Sequence, residues 1–225
     1  MIGDTKAVII LSGGMDSVTT LAYAIKKGFV CYALTFDYGQ KSKSEIKAAN
    51  YFADYFKCKE TKLFKIDFSN FSKSALTEKE MCVIDSSAEK IPSTYVPMRN
   101  IIFLSIACSW AESIKCSNIF VGANAIDYSG YPDCREVFLE SYQEMINLGS
   151  KTGAEGGKFQ IHRPLVDMSK AQIIELGHSL GIDYKKTISC YQASNDGKAC
   201  GKCESCELRR KGFSENGLPD ETLYI

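Results

Sequence analysis

The sequence of 225 residues predicts an α/β protein with a doubly wound, mostly parallel sheet and helices on both of its faces. Short apolar runs rich in β-branched residues alternate with segments of helical periodicity, which is the pattern of repeated strand–helix–strand units. The first apolar run passes through two glycines straight into a helix, as the first unit of such a sheet does. Four cysteines crowd the C-terminal end and predict a small knuckle appended to the sheet.

The predicted elements follow one another along the chain in strand–helix order. Buried parallel strands are predicted over residues 8–11, 29–36, 63–66 and 118–122, with a further short strand at Ile161. Apolar residues at helical spacing, with Ile46, Ala49 and Phe52 as the clearest example, indicate amphipathic helices. These helices are predicted over residues 16–27, 44–56, 101–113, 136–147 and 169–181.

Two segments lack such patterning. Residues 67–95 are rich in Ser and Lys and are long enough to form a lid, an insertion or an oligomer contact. A glycine-rich stretch from Gly149 to Gly157 is predicted to be a loop. We place the α/β domain at residues 1–189 and the cysteine segment, packed on the same domain, at residues 190–225.

Composition and charge restrict the class of protein. The chain carries 27 basic and 27 acidic residues, so its formal net charge is zero, which argues against a protein that chiefly grips nucleic acid. Apolar runs fall short of the roughly 18 residues of a membrane helix. The N-terminus lacks a signal-peptide pattern. We therefore expect a cytoplasmic protein with no direct nucleic-acid or membrane partner.

The turn after the first strand predicts a nucleotide site. Serine hydroxyls and free backbone N–H groups meet there at a helix N-terminus, which stabilises an anion such as pyrophosphate. The turn lacks the lysine of a Walker loop and does not match the dinucleotide fingerprint. The alternative is an ordinary strand–turn–helix junction in which Asp16 only caps the helix. The predicted nucleotide ligands here are Leu11, Ser12, Gly13, Gly14, Met15, Asp16 and Ser17, and residues 12–17 are called the phosphate loop below.

The loops after other strands predict further ligand contacts. Asp37 and Gln40 follow the second strand, where a ribose or adenine usually lies, although they also suit a plain turn. Arg99 stands at a helix start, an unfavourable place for a cation unless an anion is near. Lys170 opens a later helix and either brings an ammonium group to the phosphates or lies on the surface.

The loop from Gly122 to Arg135 is the densest in polar groups. Carboxylates, phenols, an amide and a guanidinium can hydrogen-bond the edges of a flat polar heterocycle, and a tyrosine can stack on its face. Turns also collect such residues. The predicted substrate ligands in this loop are Asn124, Asp127, Tyr131, Asp133 and Arg135.

Cysteine usage predicts a metal site. In a reducing compartment ten cysteines do not form a disulfide framework. Cys190, Cys200, Cys203 and Cys206 have spacings that let successive thiolates turn onto one ion, which most often is structural zinc. The alternatives are free thiols or an iron–sulfur cluster, for which the fourth cysteine would be expected downstream rather than upstream.

Several motifs together resemble one family nearly end to end, as far as Phe213. LSGGMDS, FDYGQ, VPMRN, GANAIDYSGYPDCR and SCY…CGKCESCELRRKGF are similar to the 7-cyano-7-deazaguanine synthases of queuosine biosynthesis. The phosphate loop alone would indicate only their superfamily, the ATP pyrophosphatases. The SGYPDCR string and the cysteine spacing are more specific. The resemblance implies an adenine nucleotide alpha hydrolase-like fold.

The resemblance also implies a reaction and its site. Members convert 7-carboxy-7-deazaguanine, ammonia and ATP into the nitrile through an adenylated acid and an amide, with Mg²⁺ and Zn²⁺ bound. Ser12, Asp16 and Ser17 would hold the pyrophosphate and its Mg²⁺, and Asp127 or Asp133 would accept hydrogen bonds from the guanine-like edge. Arg99, Lys170 or Arg135 would balance charge, the first two as catalytic residues. The expected assembly is a homodimer.

Three rival functions share part of this pattern. A tRNA sulfur-transfer enzyme would have the same phosphate loop, together with a basic RNA-binding face and redox cysteines. An amidating ligase related to NAD or GMP synthetases would share the loop and the use of ammonia, but leaves the cysteine knuckle unexplained. A zinc-bearing nucleotide sensor would bind ATP without catalysis.

Overall fold

The computed structural model describes residues 5–68, 72–78, 91–124 and 131–225. These residues contain a five-stranded sheet of order β3-β2-β1-β4-β5, in which every neighbouring pair is parallel. The strands are β1 (Lys6–Ile10), β2 (Val30–Asp37), β3 (Glu60–Lys65), β4 (Asn118–Phe120) and β5 (Gln160–His162). The predicted doubly wound parallel sheet is therefore confirmed.

Helices cover both faces of this sheet. They are α1 (Met15–Lys26), α2 (Ser44–Tyr55), α3 (Arg99–Ser113), α4 (Glu136–Gly149), α5 (Lys151–Ala154), α6 (Lys170–Ser179) and α7 (Glu204–Glu215). The one-turn helix α5 lies in the glycine-rich stretch predicted to be a loop. Ser150 caps it by accepting a hydrogen bond from the backbone N–H of Gly153 at 3.0 Å. A Cβ on Gly153 would lie 1.8 Å from the carbonyl oxygen of Asn147, so the glycine permits the contact with α4.

The strand pleat divides the core into two layers. Successive side chains of a strand point to opposite faces, and in β1 Ala7 and Ile9 enter one layer while Val8 enters the other. The first layer is built with α1, α2, α6 and α7, and the second with α3 and α4. Each large apolar side chain buried in this way contributes roughly 1.5–3 kcal/mol.

The C-terminal segment is tied to the sheet domain by buried contacts. Arg209 on α7 donates hydrogen bonds to Thr187 Oγ1 at 2.8 Å and to the carbonyl oxygen of Tyr184 at 2.9 Å, and it pairs with Asp220 at 3.0 Å. A Cβ on Gly212 would lie 2.8 Å from Ile174 on α6, so the two helices pack closely. The division at residue 189 stays a prediction.

The weakly patterned segment 67–95 lies partly outside the described residues. Its described ends meet, because the backbone N–H of Ala75 donates to the carbonyl oxygen of Ser93 at 2.9 Å. Lys41, in the loop after β2, donates in the same way to Leu76 at 3.1 Å. The lid, insertion or oligomer contact predicted for this segment stays a prediction.

None of the helices in the described part of the chain combines the length and the apolar character needed to cross a bilayer.

Candidate active site

A cleft opens at the carboxyl ends of the strands, where the strand order reverses between β1 and β4. In doubly wound sheets ligands bind at this point. Predicted ligands that line the cleft are Ser12, Gly14, Met15, Asp16, Ser17, Gln40, Arg99, Asn124, Tyr131 and Lys170. The sheet therefore brings together most of the residues singled out from the sequence. Their roles toward a ligand remain predictions.

Glycine allows the phosphate loop to lie directly against α2. Gly13 has φ +85°, and a Cβ there would lie 2.4 Å from the carbonyl oxygen of Glu45 and 2.6 Å from the backbone nitrogen of Ala49. Ser12 and Ser17 close the loop from the other side, with their hydroxyl oxygens 3.0 Å apart. Ser17 also donates to the carbonyl oxygen of Gly14 at 3.0 Å. These contacts within the protein hold the phosphate loop in its shape.

We expect Gly13→Ala to destabilise the fold and to displace the phosphate loop. The left-handed conformation alone costs alanine about 1–2 kcal/mol, and the overlap with α2 adds to that cost. Thermal unfolding and ATP affinity measure the two effects. Gly28→Ala is the matched control, because Gly28 has φ +89° but a Cβ added to it would meet nothing within 4 Å. Equal losses of stability in both variants would contradict the close-contact argument.

The N–H groups at the start of α1 are satisfied by serine oxygens. The Met15 N–H donates to Ser189 Oγ at 3.2 Å, and the Gly14 N–H donates to Ser12 Oγ at 3.3 Å. These are donors of the kind that a phosphate oxygen takes at a helix N-terminus. Ser189 was not predicted, and its only sequence signal is its place directly before Cys190.

Asp16 and Lys170 form an ion pair on the wall of the cleft. Lys170 Nζ lies 2.9 Å and 3.0 Å from the two carboxylate oxygens of Asp16. The side chain of Lys170 is only 8% exposed, so it is not a surface lysine. Gly122, two residues after β4, lies against the backbone of the phosphate loop, since a Cβ there would lie 3.0 Å from the Ser17 nitrogen.

Arg99 faces the cleft from the start of α3. Its guanidinium donates to the hydroxyl of Tyr38 at 3.4 Å and lies 5.5 Å from the centre of that ring. Burial disfavours the charge on Arg99, but Tyr38, Tyr131 and Asp133 outweigh it and raise the pKa, so the group stays cationic. Tyr38 was not predicted as a ligand, and burial raises the pKa of its hydroxyl to about 12, although Arg99 opposes the shift.

Asp133 explains why a cation is tolerated at this helix start. Its carboxylate is buried and accepts a hydrogen bond from the Asn100 backbone N–H at 3.0 Å, which supplies the anion that the N-terminus of α3 favours. Asp133 is not among the residues that line the cleft. Its predicted contact with the substrate stays untested, and Asp127 lies outside the described residues.

Other predicted ligands have contacts within the protein. Leu11 is buried in the core. Asp37 does not line the cleft, and its carboxylate pairs with Lys43 Nζ at a distance of 3.2 Å. Arg135 is exposed and donates to the carbonyl oxygen of Pro132 at 3.2 Å.

Side-chain amides hold two loops of the cleft. Gln40 bonds to the backbone of Tyr38 at 2.8 Å, and Asn124 donates to the carbonyl oxygen of Leu165 at 3.2 Å.

The four C-terminal cysteines converge as predicted. Their sulfur atoms all lie within 4.8 Å of one another, and Cys203 Sγ is 3.9 Å from that of Cys190 and 3.5 Å from that of Cys206. Tetrahedral zinc, with Zn–S bonds of about 2.3 Å, would separate its sulfurs by about 3.8 Å. The N–H of Cys200 donates to Cys190 Sγ at 3.2 Å. The cluster fits a metal ion.

A family model described as "Queuosine biosynthesis protein QueC" matches residues 6–217. The chain belongs to this family. A 7-cyano-7-deazaguanine synthase from Vesicomyosocius okutanii is 54% identical over 97% of this chain and 96% of its own length. Another QueC relative of that name, from Ectopseudomonas mendocina, is 50% identical over 99% of each chain.

Solved structures support the fold of this QueC family member. NMN synthetase from Francisella tularensis superposes with a TM-score of 0.52 and 16% sequence identity, covering 97% of this chain and 79% of that one. The predicted subunit of tRNA methyltransferase from Methanocaldococcus jannaschii gives a TM-score of 0.50 at 16% identity, covering 98% and 92%. At such low identity the similarity concerns the fold alone.

Proposed function

We propose that this chain is an ATP-dependent 7-cyano-7-deazaguanine synthase, which forms the nitrile from 7-carboxy-7-deazaguanine and ammonia. Relatives of that name align over nearly the full length of both chains. The observation that carries the proposal is the phosphate loop at the strand-order reversal, with Lys170 paired to Asp16 and Arg99 facing the same cleft. Such a site combines helix N–H groups that can bind an anion with two positively charged side chains, those of Lys170 and Arg99.

The chemistry demands two activations at one phosphate site. A carboxylate is a poor electrophile, so its oxygen first attacks the α-phosphate of ATP and pyrophosphate leaves. Ammonia then displaces AMP to give the amide. The amide oxygen is activated in the same way, and loss of AMP with the remaining N–H proton gives the nitrile. One phosphate loop serves both activations, because each is the same attack on an α-phosphate.

The residues of the cleft contribute positioning and charge. The N–H groups at the start of α1, once released by the oxygens of Ser12 and Ser189, would hold the pyrophosphate. Lys170 would stabilise the charge that develops on that leaving group. Arg99, which lines the cleft, would bind a substrate carboxylate or the α-phosphate. Tyr131 and Asn124 line the wall where the deazaguanine ring would lie.

The donor set of the phosphate loop suits Mg²⁺. The carboxylate of Asp16 and the hydroxyls of Ser12 and Ser17 are hard oxygen ligands, which this ion takes together with phosphate oxygens. Each carboxylate oxygen can accept more than the hydrogen bond from Lys170. When bound there, Mg²⁺ would neutralise charge on the phosphates. We propose these residues as its ligands.

Zinc is the proposed occupant of the cysteine cluster. Four sulfurs leave no position for water or substrate, so the ion would be structural. It would fix the segment that begins with Ser189, whose hydroxyl contacts the phosphate loop.

We also propose a cytoplasmic location and a homodimer. The edge strand β3 supports the dimer, because it leaves Leu63 and Phe64 44% and 43% exposed.

Product analysis tests the proposed function. With 7-carboxy-7-deazaguanine, ammonium and Mg-ATP we expect the nitrile by mass spectrometry, together with two AMP and two pyrophosphate per nitrile. The matched control is 7-deazaguanine without the carboxyl group, which should yield no AMP. Formation of ADP, or nucleotide turnover that is independent of the carboxylate, would contradict the assignment. A nucleotide sensor would give no product at all.

A further inference from the structure

A partly buried carboxylate that the proposed mechanism leaves unused lies on the wall of the cleft. Glu45 is in the first turn of α2, and its backbone carbonyl oxygen lies against Gly13 of the phosphate loop. Glu45 lines the cleft, as Arg99 and Tyr38 do, and its charge interacts with both of them. Among the described residues no hydrogen bond or ion pair holds this carboxylate. An unpaired acid in such a place costs stability and calls for a function.

The other groups around the cleft do not supply a base. Of the described residues that line it, Asp16 and Glu45 are the carboxylates, and no histidine is present among them. Asp16 is bound by Lys170 on both oxygens. Burial raises the pKa of Tyr38 to about 12 and that of Cys134 to about 12, so both stay protonated at neutral pH.

The reaction needs a base beside the adenylated carbon. Ammonia is mostly ammonium at neutral pH, and ammonium has no lone pair with which to attack. We propose, on the basis of the proposed function, that the Glu45 carboxylate is the general base that deprotonates ammonium in the cleft. One N–H bond breaks, and its proton goes to a carboxylate oxygen of Glu45. The freed lone pair forms the C–N bond, AMP leaves with the C–O electron pair, and the second proton goes to solvent.

The surroundings of Glu45 suit this role. Burial raises the pKa of its carboxyl to about 8, and the positive charge of Arg99 lowers it only in part. General bases work best when their pKa is close to the operating pH. Bound ammonium lowers this pKa, because a neighbouring positive charge favours the ionised carboxylate, so Glu45 would bind the nitrogen source in its charged form and then deprotonate it.

Glu45→Gln separates this role from adenylation. Carboxylate-dependent exchange of labelled pyrophosphate into ATP reports adenylation and requires no ammonia. We expect the variant to retain this exchange within about twofold, while amide and nitrile formation fall on the order of 100-fold or more. The exposed residue Glu60, on the edge strand, provides the matched control Glu60→Gln, which should leave both activities unchanged.

Hydroxylamine distinguishes a base from a structural residue, because it is uncharged at neutral pH and needs no deprotonation before attack. We expect Glu45→Gln to form the hydroxamate at close to the wild-type rate. Loss of exchange in the variant, undiminished nitrile formation, or failure of hydroxylamine to restore the rate would each overturn the proposal. Absence of exchange in the wild-type protein would instead overturn the proposed function.

Discussion

Asp16→Asn is expected to reduce turnover by at least about 100-fold and to leave the fold intact. Asparagine keeps the shape of the side chain but removes the charge that a Mg²⁺ ligand and a partner of Lys170 both require. Carboxylate-dependent pyrophosphate exchange, measured over a range of Mg²⁺ concentrations, follows the first chemical step. Thermal unfolding checks the fold. A variant with nearly wild-type exchange at saturating Mg²⁺ would show that Asp16 is only the ion-pair partner of Lys170.

Lys170→Met provides the comparison that separates the two roles of Asp16. If Asp16 serves only to hold Lys170, both variants lose the same activity and the double variant loses no more. If Asp16 also binds Mg²⁺, its variant alone raises the Mg²⁺ concentration at half-maximal rate. The ion pair is largely buried, so each single variant also leaves one charge poorly compensated and lowers the melting temperature.

Helices and strands with many apolar residues could be predicted from the sequence. Elements made largely of polar residues could not. β3 begins at Glu60 rather than at residue 63, because its first three residues are polar and exposed on the edge of the sheet. α7 was not predicted, since its composition is largely polar. Arg209 and Gly212 hold that helix through contacts with residues 22 and more positions away.

The candidate site divides in the same way. Residues next to glycine turns at strand ends, such as Asp16, could be predicted because turn chemistry and strand order are local properties. Glu45 and Ser189 could not, since their contacts with the phosphate loop depend on how α2 and the C-terminal segment pack. The carboxylate of Asp133 caps α3 from 33 residues away, a contact that no periodicity shows.

Cys203→Ser is expected to lower the zinc content and the stability together. Its sulfur lies close to two other cluster sulfurs, 3.9 Å and 3.5 Å away, so the remaining cysteines cannot complete a tetrahedral site. Structural zinc contributes about 10–16 kcal/mol in isolated zinc fingers. Loss of most of this contribution would exceed the roughly 0.5–3 kcal/mol of an ordinary substitution. Elemental analysis and thermal unfolding of protein purified without chelator measure both effects.

Cys58→Ser is the matched control. Cys58 lies outside the cluster, so this variant should keep its metal. A chelator should lower the melting temperature of the wild-type protein toward that of Cys203→Ser and leave the variant unchanged. Activity should fall with the metal, since Cys190 directly follows Ser189 and the hydroxyl of Ser189 holds the start of α1 at the phosphate loop. Detection of iron, together with visible absorption, would show that the cysteines hold an iron–sulfur cluster instead of zinc. Full stability of the metal-free variant would show that the ion is not structural.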